Sequence, residues 1–175
     1  MTMSDRIAVM NRGRFEQLGD PESLYERPAT RFVAGFLGVS NLLPGTTDST
    51  VDGYSVVRLA DGSRVRVPAN LFEGTGDVEI GVRPEKIRLT SGDAKPAGDM
   101  NLLHGIIRDA SYIGVSTQYI VESRGCGFVT VYEQNVERAT KAELWAAGEA
   151  VQMTWSPDHT FVVADDPAPV APATT

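Results

Sequence analysis

Three lysines, two histidines and one cysteine hold most of the reactive chemistry open to this 175-residue chain, and their spacing organises little of it. A loop that cradles phosphates needs backbone N–H groups opening a helix and a lysine reaching the terminal phosphates, in the order G-x-x-x-x-G-K-[ST]. Lys86, Lys95 and Lys141 follow Glu, Ala and Thr, so none stands in that frame. His104 and His159 lie 55 positions apart with no His-x-x-x-His or cysteine companion, which leaves a histidine-based metal site without support. Cys126 is the single cysteine; it excludes an intrachain disulfide or a thiolate-rich metal site and reads as a small buried hydrophobe. Gly-x-Ser-x-Gly, the nucleophile turn of serine hydrolases, does not occur. Asp165 with Asp166, and Glu79 with Glu85, could be drawn as acid/base couples, but adjacent acids in a tail or around a turn are ordinarily solvated. No catalytic, cofactor-binding or metal-ligating residue is expected.

The charge balance narrows the partners. The formal net charge is −7, and the chain is neutral up to Pro44 but carries four basic against nine acidic residues after Asp99. Nonspecific nucleic-acid binding draws on counterions released by Lys and Arg, so a phosphate backbone is disfavoured as a partner. The longest nearly uninterrupted apolar stretch, 32–39, falls far short of the roughly 18 residues that a membrane span requires, and no charged-then-apolar leader opens the chain. A soluble protein without direct membrane insertion is the expectation.

The elements that would position these side chains follow from periodicity and punctuation. Alternation over 6–10 and 15–18 around Asn11-Arg12-Gly13 predicts a β-hairpin. Asp20-Pro21-Glu22 supplies an N-cap, a first-turn proline and an acid for a short helix that Pro28 ends. Thr30 opens a second helix, with Phe32, Val33, Phe36 and Leu37 at helical spacing and Gly38 as its stop. Beyond Pro44 the period changes to two, predicting strands over 54–59, 64–67, 78–82 and 87–89, the first two joined by the Asp61-Gly62 turn. A link near 91–99 bears Gly, Pro and Asp; after it, strands are predicted over 102–110, 117–121, 128–132, 151–155 and 160–163, with a helical segment near 141–145. Five strands of that length suggest a small closed barrel, and residues 165–175 offer a tail without core residues.

Ser4-Asp5-Arg6-Ile7-Ala8-Val9-Met10, Gly13, Gln17-Leu18-Gly19-Asp20-Pro21, Leu24-Tyr25, Pro28 and Thr30-Arg31-Phe32-Val33-Ala34 together resemble the C-terminal end of the nucleotide-binding subunit of ABC importers, in the branch serving polyamines, ferric iron, thiamine and sugars. Gly81-Val82-Arg83-Pro84-Glu85-Lys86-Ile87-Arg88 is similar to the most recognisable element of that subunit's accessory TOBE region, with Tyr112-Ile113-Gly114, Gly148-Glu149 and Trp155-Ser156-Pro157 as weaker matches. The residues themselves give Arg83-Pro84-Glu85 a structural role: Pro84 blocks ladder pairing and turns the chain, leaving an Arg and a Glu to tie strand ends together.

The resemblance implies a mainly β fold, a tandem OB-like β-barrel region preceded by a β-hairpin and two short helices. Its divisions would be 1–44 from the end of an ABC ATPase domain, 45–164 as the TOBE/OB-like regulatory domain, and 165–175 as a disordered tail. ATP and Mg are implied for the intact subunit, whose Walker and signature motifs precede the matching stretch, and not for these residues. A homodimer, contacts to membrane permease subunits through the ATPase domain, and a cytoplasmic place at the inner face of the membrane are implied likewise. Three readings stay open. A regulatory and dimerisation module, of polyamine type by overall similarity, would use Tyr112, Ile113 and Tyr119 as its interface. A small-ligand sensor for an oxyanion or the substrate would use Ser111, Ser116 and Thr117 as donors. A single-strand-binding OB barrel would stack bases on the seven of thirteen aromatics after Asp99, against the acidity of that segment.

Overall fold

A computed structural model describes residues 4–72, 74–92, 98–135 and 144–164. The front segment folds as its punctuation predicts. Strands β1 (Ile7–Asn11) and β2 (Arg14–Gly19) pair as a hairpin, followed by helices α1 (Pro21–Glu26) and α2 (Arg31–Leu37). Asp20 caps α1 by accepting from the Ser23 N–H at 2.9 Å, and Thr30 caps α2 by accepting from the Val33 N–H at 3.3 Å. Val9, Leu24 and Val33 bury a small core between these pieces.

Among the described residues, ten further strands form two five-stranded antiparallel sheets. The first half of the chain supplies β3 (Asn41–Val51), β4 (Tyr54–Arg58), β5 (Arg64–Pro68), β6 (Asp77–Val82) and β7 (Arg88–Ser91). The second half supplies β8 (Asn101–Tyr112), β9 (Ser116–Ser123), β10 (Gly127–Gln134), β11 (Ala150–Trp155) and β12 (Thr160–Val163). β3 has no counterpart among the predicted strands and begins three residues ahead of the division expected at 44. Pro44 is tolerated within it because β4 pairs only from Thr46 onward, so at Pro44 the strand has a single neighbour, β6.

The strand orders are β12-β6-β3-β4-β5 and β10-β9-β8-β11-β7. The five strands after the link therefore do not close a barrel among themselves: β12 pairs with β6 in the first sheet, and β7 pairs with β11 in the second. Grouping strands by sequence neighbourhood fails here because each half donates its last strand to the other. The donating turns are alike, 3-10 turns Pro84–Lys86 and Pro157–His159. The halves also share Asn-Leu-Leu-x-Gly, at 41–45 and 101–105, and each long strand shifts register just afterwards, at Thr47/Ser49 and Ile107/Asp109. In both repeats the glycine is required by close approach. A Cβ on Gly45 would stand 2.5 Å from a Val57 methyl, and one on Gly105 2.4 Å from a Val121 methyl. One continuous apolar core runs from Leu43 and Val65 through Ile87 to Val129, Met153 and Trp155. The predicted helical segment near 141–145 lies largely outside the described residues; the link near 91–99 does so in part, and the 165–175 tail entirely.

Candidate functional site

Arg83 is the most heavily bonded side chain described, and it is built by the turn that follows it. Pro84 opens the 3-10 turn and ends β6, while Arg83 itself stays extended and sends its guanidinium back under the two helices. Only 1% of the residue is exposed. Nε and Nη2 donate to the Tyr25 carbonyl at 3.2 and 2.7 Å; Nη1 lies 3.1 to 3.3 Å from the carbonyls of Ala34, Gly38 and Val39 and 2.6 Å from Ser40 Oγ. The last carbonyls of a helix lack intrahelical donors and carry partial negative charge, so a buried cation at the end of α2 is favourably placed without a carboxylate. The Tyr25 ring, 4.0 Å from the guanidinium carbon, adds a cation–π contact. Burial draws the Arg83 pKa below its ordinary value, yet an arginine remains charged.

Glu85 and Lys86 extend the joint. Glu85 accepts from the Tyr25 hydroxyl at 2.8 Å, Lys86 pairs with Glu26 at 2.9 Å, and Arg31 of α2 pairs with Glu79 of β6. Burial, aided by Glu85, pushes the Tyr25 hydroxyl up to about 12. Ala34 packs with Phe161 and Val163, and the Ala164 N–H donates to the Ala29 carbonyl at 3.0 Å. The tie expected between strand ends is thus a tie between helices and barrels. The two acids drawn as a couple, Glu79 and Glu85, serve different partners in it, while Asp165 and Asp166 lie outside the described residues.

The predicted site residues separate. Tyr112 and Ile113 stand exposed at the β8–β9 tip, where Val115, at 84% exposure, joins them. The tip is held by Asn135, whose N–H and side-chain amide donate to the Val115 and Gly114 carbonyls, both at 2.9 Å. Tyr119, by contrast, is fully buried: β9 alternates strictly, and Tyr119 shares its inner face with Thr117 and Val121. Val115 was legible only as an apolar residue one step from a turn glycine. Ser111, Ser116 and Thr117 do not converge. The Ser111 hydroxyl donates to Asp109 at 2.9 Å, the buried Thr117 hydroxyl donates to Asn135 at 3.0 Å, and Ser116 sits on the opposite face of β9. His104 and His159 are exposed; Cys126 is half-buried, with burial pushing its thiol up. Among the described residues no three His, Cys, Asp or Glu side chains gather at metal distance.

Glu133 of β10 was not singled out by its sequence. Its carboxylate accepts from the Leu89 N–H of β7 at 3.2 Å, bridging the two outer strands of the second sheet, and burial holds its carboxyl above the ordinary range. A folded-state pKa raised above the unfolded one means that stability falls as pH rises between the two values. Glu133→Gln keeps an acceptor for Leu89 and removes the charge. Its melting temperature at neutral pH is expected to exceed the parent's by about 2 °C, the difference shrinking on acidification; a gap that widens in acid would contradict this account.

Residues 80–163 match the TOBE domain family. The spermidine/putrescine import ATP-binding protein of Thermobifida fusca is 43% identical over 165 residues, 93% of this chain and 41% of that protein. Its counterpart in Frankia alni is 41% identical over 98% of this chain and 37% of that protein, and the putrescine transport ATP-binding protein of Escherichia coli K12 is 32% identical over 93% and 43%. The chain thus spans about two fifths of the length of these curated relatives. Among solved structures, the cytoplasmic molybdate-binding protein ModG with molybdate bound superposes with a TM-score of 0.57 at 16% identity, covering 70% of this chain and 94% of that one, a likeness of fold.

Proposed function

The chain belongs to the family of ABC importer ATP-binding subunits and carries a TOBE domain, and on that premise we propose that it is the regulatory and dimerising part of such a subunit, in a system importing spermidine or putrescine. The observation that carries the reading is the Arg83 joint. It locks the helical segment and the barrels into one body, so a displacement of the helices moves the barrels with them. ATP and magnesium chemistry belongs, in this reading, to the larger share of the subunit that the chain does not span. Exposed Phe15, Leu18 and Phe36 on the front segment offer an ATPase body apolar contacts, and permease subunits are met through that body. No helix among the described residues is long and apolar enough to cross a membrane, which suits a peripheral place at its inner face.

Dimerisation is assigned to the apolar tip at Tyr112, Ile113 and Val115, because a tip whose backbone Asn135 already holds binds with less ordering cost than a loose loop. Sedimentation over a concentration series is expected to show a dimer at tens of micromolar. Tyr112→Asp with Val115→Asp is expected to weaken it about tenfold or more, equal to about 1.4 kcal/mol, with an unchanged melting curve. A strict monomer at those concentrations sinks the proposal. The oxyanion reading gains no support from Ser111 and Thr117, whose protons are already engaged by Asp109 and Asn135.

A further inference from the structure

The two halves, 41–92 and 98–164, hold each other by reciprocal devices. Each sheet is completed by a strand from the other half: β7 lies beside β11 with Arg88 opposite Thr154, and β12 lies beside β6 with Phe161 opposite Gly81. Each half also hooks the other's outer strand with an asparagine at the start of its long strand. The Asn41 side chain exchanges two hydrogen bonds of 2.8 Å with the backbone of Thr130 in β10. The Asn101 side chain exchanges bonds of 2.8 and 2.9 Å with the backbone of Arg66 in β5. Arg66 and Thr130 are equivalent in the repeat, each following a valine that pairs with a valine of the preceding strand, Val65 with Val57 and Val129 with Val121. The β4–β5 and β9–β10 turns meet as well: an added Cβ on Gly125 would stand 2.5 Å from an Asp61 carboxylate oxygen.

We infer that the barrel pair is an intertwined pseudo-dimer in which the partner fitted by each half is the other half, recognised through its donated strand, its asparagine hook and its turn, with no need of the covalent link. Without β12, the first sheet loses Thr160 and Val162 from beside the buried Val82 and Ile80, and Phe161 and Val163 from the opposite face, where they cover Ala34 and Leu42. Without β7, the second loses Leu89 over Met153. Neither half then closes a core of its own, since the core is a single cluster shared across both sheets. A half from a second copy of the chain presents the same surface and is accepted equally.

The test uses the full chain with a specific protease sequence placed between Gly92 and Gly98, cut after folding. The cut protein is expected to remain one 1:1 particle by size and mass, and a hundredfold dilution lowers its melting temperature while leaving the uncut chain's unchanged. Two cut samples bearing different mass labels, unfolded together in urea and diluted out, are expected to yield hybrids near half of the total. Separation of the halves under native conditions, or recovery of folded single halves, overturns the inference. Should the insertion itself prevent folding, amide exchange in the unmodified chain decides: Val65 and Val67 in the first sheet and Val121 and Val129 in the second are expected to be protected alike, and a tenfold or greater difference between the sheets refutes a shared unit.

Discussion

Arg83→Ala is expected to lower stability by about 3–5 kcal/mol, a large fraction of the total for a domain, and to release the helices before the barrels. Three effects add. The substitution takes the guanidinium donors from the carbonyls of Tyr25, Gly38 and Val39 and leaves that of Ala34 only the Ser40 hydroxyl at 3.5 Å, and a buried acceptor stripped of its partner costs about 1–3 kcal/mol before any water relaxes into place. It removes the cation–π contact with Tyr25 and opens a cavity between α2 and Phe161. Arg83→Lys restores the charge but brings a point-like ammonium with three donors to a cage shaped for a planar fork, so it is expected to recover less than half of the loss. Hydrogen exchange read by mass provides the decisive pattern, with residues 21–38 losing protection first while β9 and β10 keep theirs. A uniform loss across the chain, or a change below about 1 kcal/mol, would show that the joint is not where the helices are held.

The same joint has an alkaline limit. Tyr25 is raised in the folded state, so its contribution is intact below the ordinary tyrosine value near 10 and is lost as pH climbs through about 12. Its hydroxyl donates to Glu85; once ionised, it would face that carboxylate as a second anion. The helices of the parent chain should therefore loosen in strong alkali, and those of Tyr25→Phe should not acquire the same pH step.

Much of this architecture is written in local patterns. Asp20-Pro21 and Thr30 placed both helix starts, and period-two alternation placed nearly every strand, because capping and pleat are short-range effects. Partner choice is a different matter. The apolar run Phe161-Val162-Val163 marks β12 as a strand covered on both faces but not which sheet takes it, so nothing local distinguished pairing with β6 from pairing within the second half. β3 escaped notice because Pro44 and the run of threonines and serines after it break its alternation. The repeated Asn-Leu-Leu-x-Gly was legible in principle; differing turn and link lengths then shift the two halves out of step. Arg83 shows the limit most clearly. Its type and its proline neighbour were visible, but its partners are main-chain carbonyls, and a carbonyl leaves no mark in a sequence. Tyr119, in turn, could have been placed inside by the strict alternation with Val121 that defines β9.

Asn101 yields the second large effect. Its side chain, 2% exposed, supplies the acceptor for the Arg66 N–H, the donor for the Arg66 carbonyl, and a further donor toward Thr160 Oγ1 at 3.3 Å. Thr160 Oγ1 also accepts from the Trp155 indole at 3.0 Å, so one amide connects β8, β5 and β12 at the place where the two halves cross. Asn101→Leu keeps the branched outline of the side chain and abandons an N–H and a carbonyl of β5, for an expected loss of about 3 kcal/mol. Asn101→Asp distinguishes hydrogen bonding from packing. Its carboxylate would accept from the Arg66 N–H but turn a second oxygen toward the Arg66 carbonyl, in a buried place that disfavours charge. Its folded-state pKa would be raised, so this variant is expected to be weaker than Asn101→Leu at neutral pH and to regain stability as pH falls, when the protonated oxygen becomes a donor again. Because Asn41 makes the mirrored bond on Thr130, Asn41→Leu combined with Asn101→Leu should cost measurably less than the two singles summed, the second hook having little left to hold once the first has let the halves part. Urea unfolding followed by tryptophan emission measures all four variants. A pH-independent Asn101→Asp, or strict additivity in the double variant, would assign these asparagines to local packing and not to the grip between the halves.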